Sequence, residues 1–298
     1  MAQLKPFRGN FYLWDYVPSK PAAILLAILF GLATLVVVWR MVRTRTLFSI
    51  AFALGGLFEI AGYGARAVAE DKTDQLGPYV VQSILILVAP ALYAASIYMT
   101  LGRLMRSVQG ERHSLVPVRW LTRAFVAGDV LSFLMQGSGG GLMGMGNFSQ
   151  ETAQNIILGG LVVQVVMFGL FAITAVVFDV RIRRWPTGGS LEGGGQRWMR
   201  AMLMLYATTA LILVRCVVRV VEYVMGKDGY LLRYEWTLYV FDAVPMLAVT
   251  VVYGWVYPGE LTAANTKAWP REQASSLSGH EGMGLADGLR TRGGGHEK

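Results

Sequence analysis

The stretch LVRCVVRVVEYVMG, Leu213–Gly226, continues an apolar run that opens near Ala201, yet it carries Arg215, Arg219 and Glu222. A charged side chain at the centre of a membrane-spanning helix costs roughly 2.5–3.5 kcal/mol on insertion scales. Residues three or four apart share a helix face, so these charges form one stripe that must turn away from lipid. A single span offers no interior to turn toward. The stretch therefore predicts an all-α, polytopic membrane protein with a polar seam inside its bundle.

The whole chain agrees with that reading. Of its 298 residues 54% are hydrophobic and 15% charged, and the mean hydropathy is +0.45, above what a chain with a water-facing surface usually reaches. The apolar residues come in long blocks. At about 1.5 Å per residue, roughly 20 of them cross the hydrocarbon core. Seven blocks meet this, near 21–39, 47–69, 79–101, 120–136, 155–178, 200–225 and 236–257, the fourth being the shortest. Three regions follow: an external N-terminal segment over 1–20, a seven-helix transmembrane domain over 21–257, and a Gly-, Ser-, Glu- and Arg-rich cytosolic tail over 258–298, expected to be disordered. The first block is long enough to stay as a span, so no signal cleavage is expected.

The net charge of +8 sits in the connections. Arg40, Arg43 and Arg45 follow the first block, Arg103, Arg106, Arg112 and Arg119 the third, and Arg181, Arg183, Arg184 and Arg197 the fifth, whereas the alternate connections are poor in cations. The positive-inside rule places the cation-rich loops and the C-terminus in the cytosol and the N-terminus outside, against the pull of Lys5, Arg8 and Lys20. Asn147-Phe148-Ser149 is a glycosylation sequon in a loop assigned to the outside, so Asn147 is an expected glycan site. No basic face with interleaved aromatics suggests nucleic acid.

Absences narrow the chemistry. His113, His280 and His296 all lie in a loop or the tail, and Cys216 is the lone cysteine. Intramembrane haem, a zinc site and a disulfide are therefore not expected, nor is a His-activated nucleophile. No lysine lies in any span and no phosphate-binding Walker loop occurs. The run Gly139-Gly140-Gly141 reads as a flexible outer connection. No enzyme activity and no cofactor are expected. Close helix packing is expected at Ala61 and Ala65 and at Ala91 and Ala95, small residues four apart, with kinks at Pro90 and Pro245.

The charged stripe has company in the other blocks. Glu59, Tyr63 and Arg66 share a face of the second; Gln82 lies in the third, Asp129 and Gln136 in the fourth, Gln164 in the fifth and Asp242 in the seventh. Acids Glu59, Asp129, Glu222 and Asp242 facing bases Arg66, Arg215 and Arg219 approach mutual neutralisation. Either they are structural pairs that set helix register, or they line an outer-half polar cavity that receives a ligand headgroup. Intramembrane ionisable groups on several helices favour the cavity.

Several segments are similar to the fungal lipid-translocating exporter family, the Rta-like proteins linked to 7-aminocholesterol resistance and sphingoid long-chain-base release. They are FEIAGYGAR at Phe58–Arg66, LVAPALYAASIYMTLGR at Leu87–Arg103, GDVLSFLMQGSGGG at Gly128–Gly141, GGLVVQ at Gly159–Gln164, VRCVVRVVEYVMGKDGYL from Val214, and the Glu235–Met246 segment ending YVFDAVPM. The resemblance spans about 20–260 in the family's order. It implies a fungal, seven-span integral membrane protein, concerned with drug resistance, that moves or regulates the movement of amphipathic lipids such as sphingoid bases or sterol-like compounds. It implies no catalytic residue. The family's polar positions fall here on Glu59, Arg66, Gln82, Asp129, Gln136, Gln164, Arg219, Glu222, Glu235 and Asp242.

The function expected is thus a flippase-like exporter that binds a lipid headgroup. The alternative is a seven-helix lipid sensor that regulates transport or stress resistance. The partners implied are membrane lipids and an amphipathic or sterol-like ligand, with cytosolic regulators or a second copy open. The expected location is the plasma membrane, with other secretory-pathway or vacuolar membranes as alternatives.

Overall fold

In the computed structural model, the structure describes residues 18–70, 73, 75–107, 117–145, 150–185, 195–226 and 234–259. Asn147, the first 17 residues and the tail from 260 lie outside them. Seven long helices account for nearly all of the described chain, and no strand occurs among these residues. They are α1 Lys20–Thr44, α2 Ile50–Ala69, α3 Leu76–Ser107, α4 Val118–Met145, α5 Gln150–Arg184, α6 Gly195–Met225 and α7 Glu235–Trp255.

Six of the seven are both long and apolar enough to cross a membrane. The remaining helix, α4, is 28 residues long, ample for a core of about 30 Å. It is too rich in glycine and polar residues to be a span on composition alone. The structure thus supports seven helices and, by apolarity, six spans.

Each helix packs on its neighbours in chain order, and α7 returns to α1, closing a ring that α3 and α6 bridge across the middle. Outward faces are aliphatic, with Leu32, Leu35 and Val42 of α1 each more than half exposed, while Phe30 and Val37 on its other side are fully buried. The interior is aromatic: Tyr98 of α3 packs among Phe125, Phe168 and Phe171 with ring centroids 4.5–5.7 Å apart.

Close approach falls on glycines rather than on the expected alanines. A Cβ on Gly55 meets the Tyr93 ring at 2.9 Å, and one on Gly62 meets Ile86 at 2.7 Å, which seats α2 directly on α3. Ala61 is exposed, while Ala65, Ala91 and Ala95 are half-buried. The hydrogen side chain, not four-residue spacing alone, sets the contact. Gly139-Gly140-Gly141 is helical, correcting its reading as a loop. A Cβ on Gly139 sits 2.8 Å from the Ala153 carbonyl of α5; the residue type serves helix contact there, so α4 continues past the expected end at 136.

One end of the bundle carries exposed Trp39, Trp120, Trp185 and Trp255. Arg43 and Arg123 lie over Trp39 and Trp120, and Arg40 donates to the Trp255 carbonyl at 3.0 Å. Tryptophan and arginine together mark a membrane–water interface, and this rim is the end from which the cation-rich connections leave.

Candidate functional site

The charged stripe of α6 meets α7 where α7 departs from regular geometry. Residues Tyr239–Ala243 form a π turn, placed just before Pro245. A proline there has no N–H for the Phe241 carbonyl and its ring crowds that carbonyl. The wider turn relieves both, and single π turns recur at functional sites. Here the turn delivers Asp242 into the bundle.

Asp242 faces both arginines of α6. Its Oδ1 is 2.5 Å from Arg215 Nε and 3.7 Å from Arg219 Nε, and Arg219 Nη1 lies 3.2 Å from Glu222 Oε2. Arg215 Nη2 also donates to the Ile86 carbonyl at 3.3 Å. The side chains grade outward: Arg215 and Asp242 are 2% and 6% exposed, Glu222 and Arg219 14% and 19%. A cleft opens between α6 and the π turn over these four residues, with Val218, Thr237, Leu238 and Phe241 as its apolar and hydroxyl lining. It lies toward the end of the bundle opposite the Trp–Arg rim. The space it encloses is about 10 Å³, room for a single water and far below the ~300–1,000 Å³ of a site that swallows a whole drug-sized ligand. A polar group can meet these charges at the mouth, and no lipid fits inside.

Arg66, fully buried on α2, belongs to a second pair. Its Nη2 contacts Glu235 Oε1 at 2.8 Å, and its Nε donates to Tyr239 Oη at 3.1 Å. Tyr239 in turn donates to Glu235 Oε1 at 2.8 Å, and the guanidinium lies over the Tyr239 ring. The Ser19 N–H reaches the same carboxylate oxygen at 2.9 Å. This cluster ties the entry of α1, the end of α2 and the first turn of α7 together. It is an architectural clasp above the cleft.

Glu59 is different. It is 1% exposed, and neither carboxylate oxygen has a hydrogen-bond partner. Tyr63, one turn on and fully buried, stacks on Phe30 but leaves its hydroxyl unused. Glu59 stands within electrostatic reach of Asp242, Arg215 and Arg219.

The other expected site residues disperse. Gln136 Nε2 donates to Ser132 Oγ at 2.7 Å and to Gln164 Oε1 at 3.2 Å, while Ser132 donates to the Gly160 carbonyl at 2.7 Å. These residues clasp α4 to α5 and belong to a separate polar cluster. Asp129 accepts from Tyr98 Oη at 2.9 Å inside the aromatic core, and Gln82 is buried on α3 with its Oε1 unpartnered. Of the expected set, Arg215, Arg219, Glu222 and Asp242 form the cleft, with Glu59 and Tyr63 behind it.

Sequence reasoning passed over two features. The π turn had a legible signal in Pro245. The second is Asp179, 6% exposed, which pairs with Arg183 at 3.0 Å and accepts from Tyr206 at 3.0 Å near the Trp–Arg rim. Its i,i+4 spacing to Arg183 was visible, but Tyr206 comes from another helix. No group of histidine, cysteine and acidic residues suited to a metal occurs among the described residues.

The family model described as RTA1 like protein matches residues 52–265. The chain is 38% identical over 285 residues to Protein RTM1 of Saccharomyces cerevisiae, covering 82% of this chain and 91% of that one. It is 35% identical over 280 residues to Protoporphyrin uptake protein 1 of the same yeast, with coverages of 82% and 91%. To the yeast Sphingoid long-chain base transporter RSB1 it is 28% identical over 285 residues, covering 84% and 74%. No solved structure matches the chain. With six apolar helices and a family match across most of the bundle, the chain is an integral membrane protein of the RTA1-like family.

Proposed function

We propose that the protein carries cationic amphipathic lipids of the sphingoid long-chain-base class across the membrane, taking the headgroup at the mouth of the cleft between α6 and the π turn. Family membership and a relative named as a sphingoid long-chain base transporter support lipid-related membrane transport. The observation that carries the finer reading is the graded acid–base array of Arg215, Asp242, Arg219 and Glu222. Arg215 holds Asp242 in place at the closed end. Nearer the mouth, Arg219 shares itself between Asp242 and Glu222, so an incoming ammonium can take either carboxylate in charge-assisted hydrogen bonds. The alkyl chain stays against the exposed aliphatic faces of α6 and α7, such as Val221, Val224 and Val240.

In this reading the Trp–Arg rim is cytosolic, the N-terminus and the cleft face outside, and the plasma membrane is the expected location. A second reading has one specific support. The relative named for protoporphyrin uptake is 35% identical, and an acidic amphiphile would use Arg219 instead. The two readings separate by charge. In cells or vesicles, Glu222→Gln lowers movement of a long-chain base and spares a carboxylate amphiphile if the amine reading holds. Base movement untouched by Glu222→Gln, with movement of the carboxylate amphiphile lost in Arg219→Gln, favours the acidic cargo.

A further inference from the structure

Resting on the cationic-lipid reading, we propose that Glu59 is the proton-bearing residue of this carrier, and that binding of one ammonium headgroup at the cleft expels its proton. Three ion pairs account for the charges around the site: Arg66–Glu235, Arg215–Asp242 and Arg219–Glu222. Glu59 is the acid left over. With Glu59 neutral the array carries no net charge; with Glu59 ionised it carries one excess negative charge in the bundle interior.

Burial argues the same way. Glu59 is 1% exposed and neither oxygen is hydrogen-bonded. An ionised carboxylate in such surroundings costs far more than the neutral acid. Groups facing it come from every element around it. Tyr63 lies on α2 itself, Arg215 and Arg219 come from α6, Asp242 from the π turn, and Tyr93 from α3. From α1, Phe30 lies beside Tyr63 and Thr34 beside Gly56, and neither titrates. Asp129, a further interior acid outside these pairs, accepts from Tyr98.

The exchange balances. The Glu59 O–H bond breaks heterolytically, the electron pair stays on the carboxylate, and the proton leaves to water through the cleft mouth. One ammonium enters as one proton departs, so the occupied and empty sites hold the same charge. Exchange of this kind lets a proton gradient drive the lipid in the opposite direction to the protons.

The test uses the full chain in phosphatidylcholine nanodiscs. Infrared spectra with ¹³C-labelled glutamate are expected to show a protonated carboxyl band at neutral pH that shifts in heavy water and is missing in Glu59→Gln. Because the label alone identifies glutamate, the wild type can be read even if the variant fails to fold. Glutamate bands that are all carboxylate overturn the proposal, whatever the cargo.

Calorimetry in two buffers of different ionisation heat then follows binding of dodecylammonium, which stays charged at neutral pH as a lysine ammonium does and keeps the N–H donors of a long-chain base. The wild type is expected to release close to one proton per amphiphile bound, and Glu59→Gln to bind without release. Equal release by both proteins overturns the assignment to Glu59, and binding with no release by the wild type overturns the exchange. No binding at all removes the cationic-lipid reading and the exchange with it, while the infrared result still decides where the proton sits.

Discussion

Replacing Asp242 with Asn tests whether the α6–π-turn array is a true buried pair. The change is nearly isosteric but leaves Arg215, 2% exposed, without its counter-charge, and removes a partner from Arg219. Breaking a buried ion pair on one side costs about 3–5 kcal/mol. The amide oxygen still accepts a hydrogen bond, so the lower figure applies, about 3 kcal/mol. At roughly 2–4 °C per kcal/mol for a chain of this size, the melting temperature should fall by about 6–12 °C. Thermal unfolding in nanodiscs, followed by intrinsic fluorescence, reads this directly.

The double variant Arg215→Gln, Asp242→Asn sharpens the test. It removes both charges, and a buried pair replaced on both sides is often tolerated. It should therefore recover much of the loss, with a coupling of about 1–3 kcal/mol between the two positions. Strictly additive losses, or an Asp242→Asn protein that melts like the wild type, would refute the buried-pair argument.

Three further outcomes follow from local geometry. Gly139→Ala places a methyl group 2.8 Å from the Ala153 carbonyl and should cost about 1–3 kcal/mol, whereas Gly140→Ala, with nothing within 4 Å, should be neutral or gain up to about 1 kcal/mol; unfolding midpoints of the two variants decide it. Tyr239→Phe removes the hydroxyl shared by Arg66 and Glu235 and should lower stability by about 1 kcal/mol, checked by the same melt. Asp179→Asn strips a buried acid from Arg183 and Tyr206; because it lies far from the cleft, it should lower the melting temperature while binding of a long-chain base is unchanged, as titration of the purified variant will show.

The bundle was legible because lipid imposes a simple rule: long apolar blocks, charge in the connections, and interior charges on one helix face. The α6 stripe followed from spacing alone, and its burial bears that out. What failed were features that depend on a neighbour. Three consecutive glycines read as a loop, since nothing local shows that α5 presses against Gly139. The alanine pairs had the right spacing, but Gly55 and Gly62 face α3.

Candidate residues were likewise chosen correctly as interior groups and then over-merged. Gln136 and Gln164 bind one another across α4 and α5, and Arg66 is engaged by Glu235 and Tyr239. No spacing rule distributes the basic and acidic residues of four helices among partners. That Glu59 is the acid without a mate is a tertiary fact, visible once the three pairs are drawn.

The most direct test of the cleft as the headgroup site is lipid movement in liposomes containing the purified wild type or Glu222→Gln, followed with a labelled long-chain base. Glu222 is 14% exposed at the cleft mouth and the amide is nearly isosteric, so the variant should fold. Protein-dependent movement by the wild type and its loss in the folded variant is the predicted result. Equal movement by both proteins, or saturable binding with no movement by either, would contradict it, the latter pointing to a lipid sensor instead of a carrier.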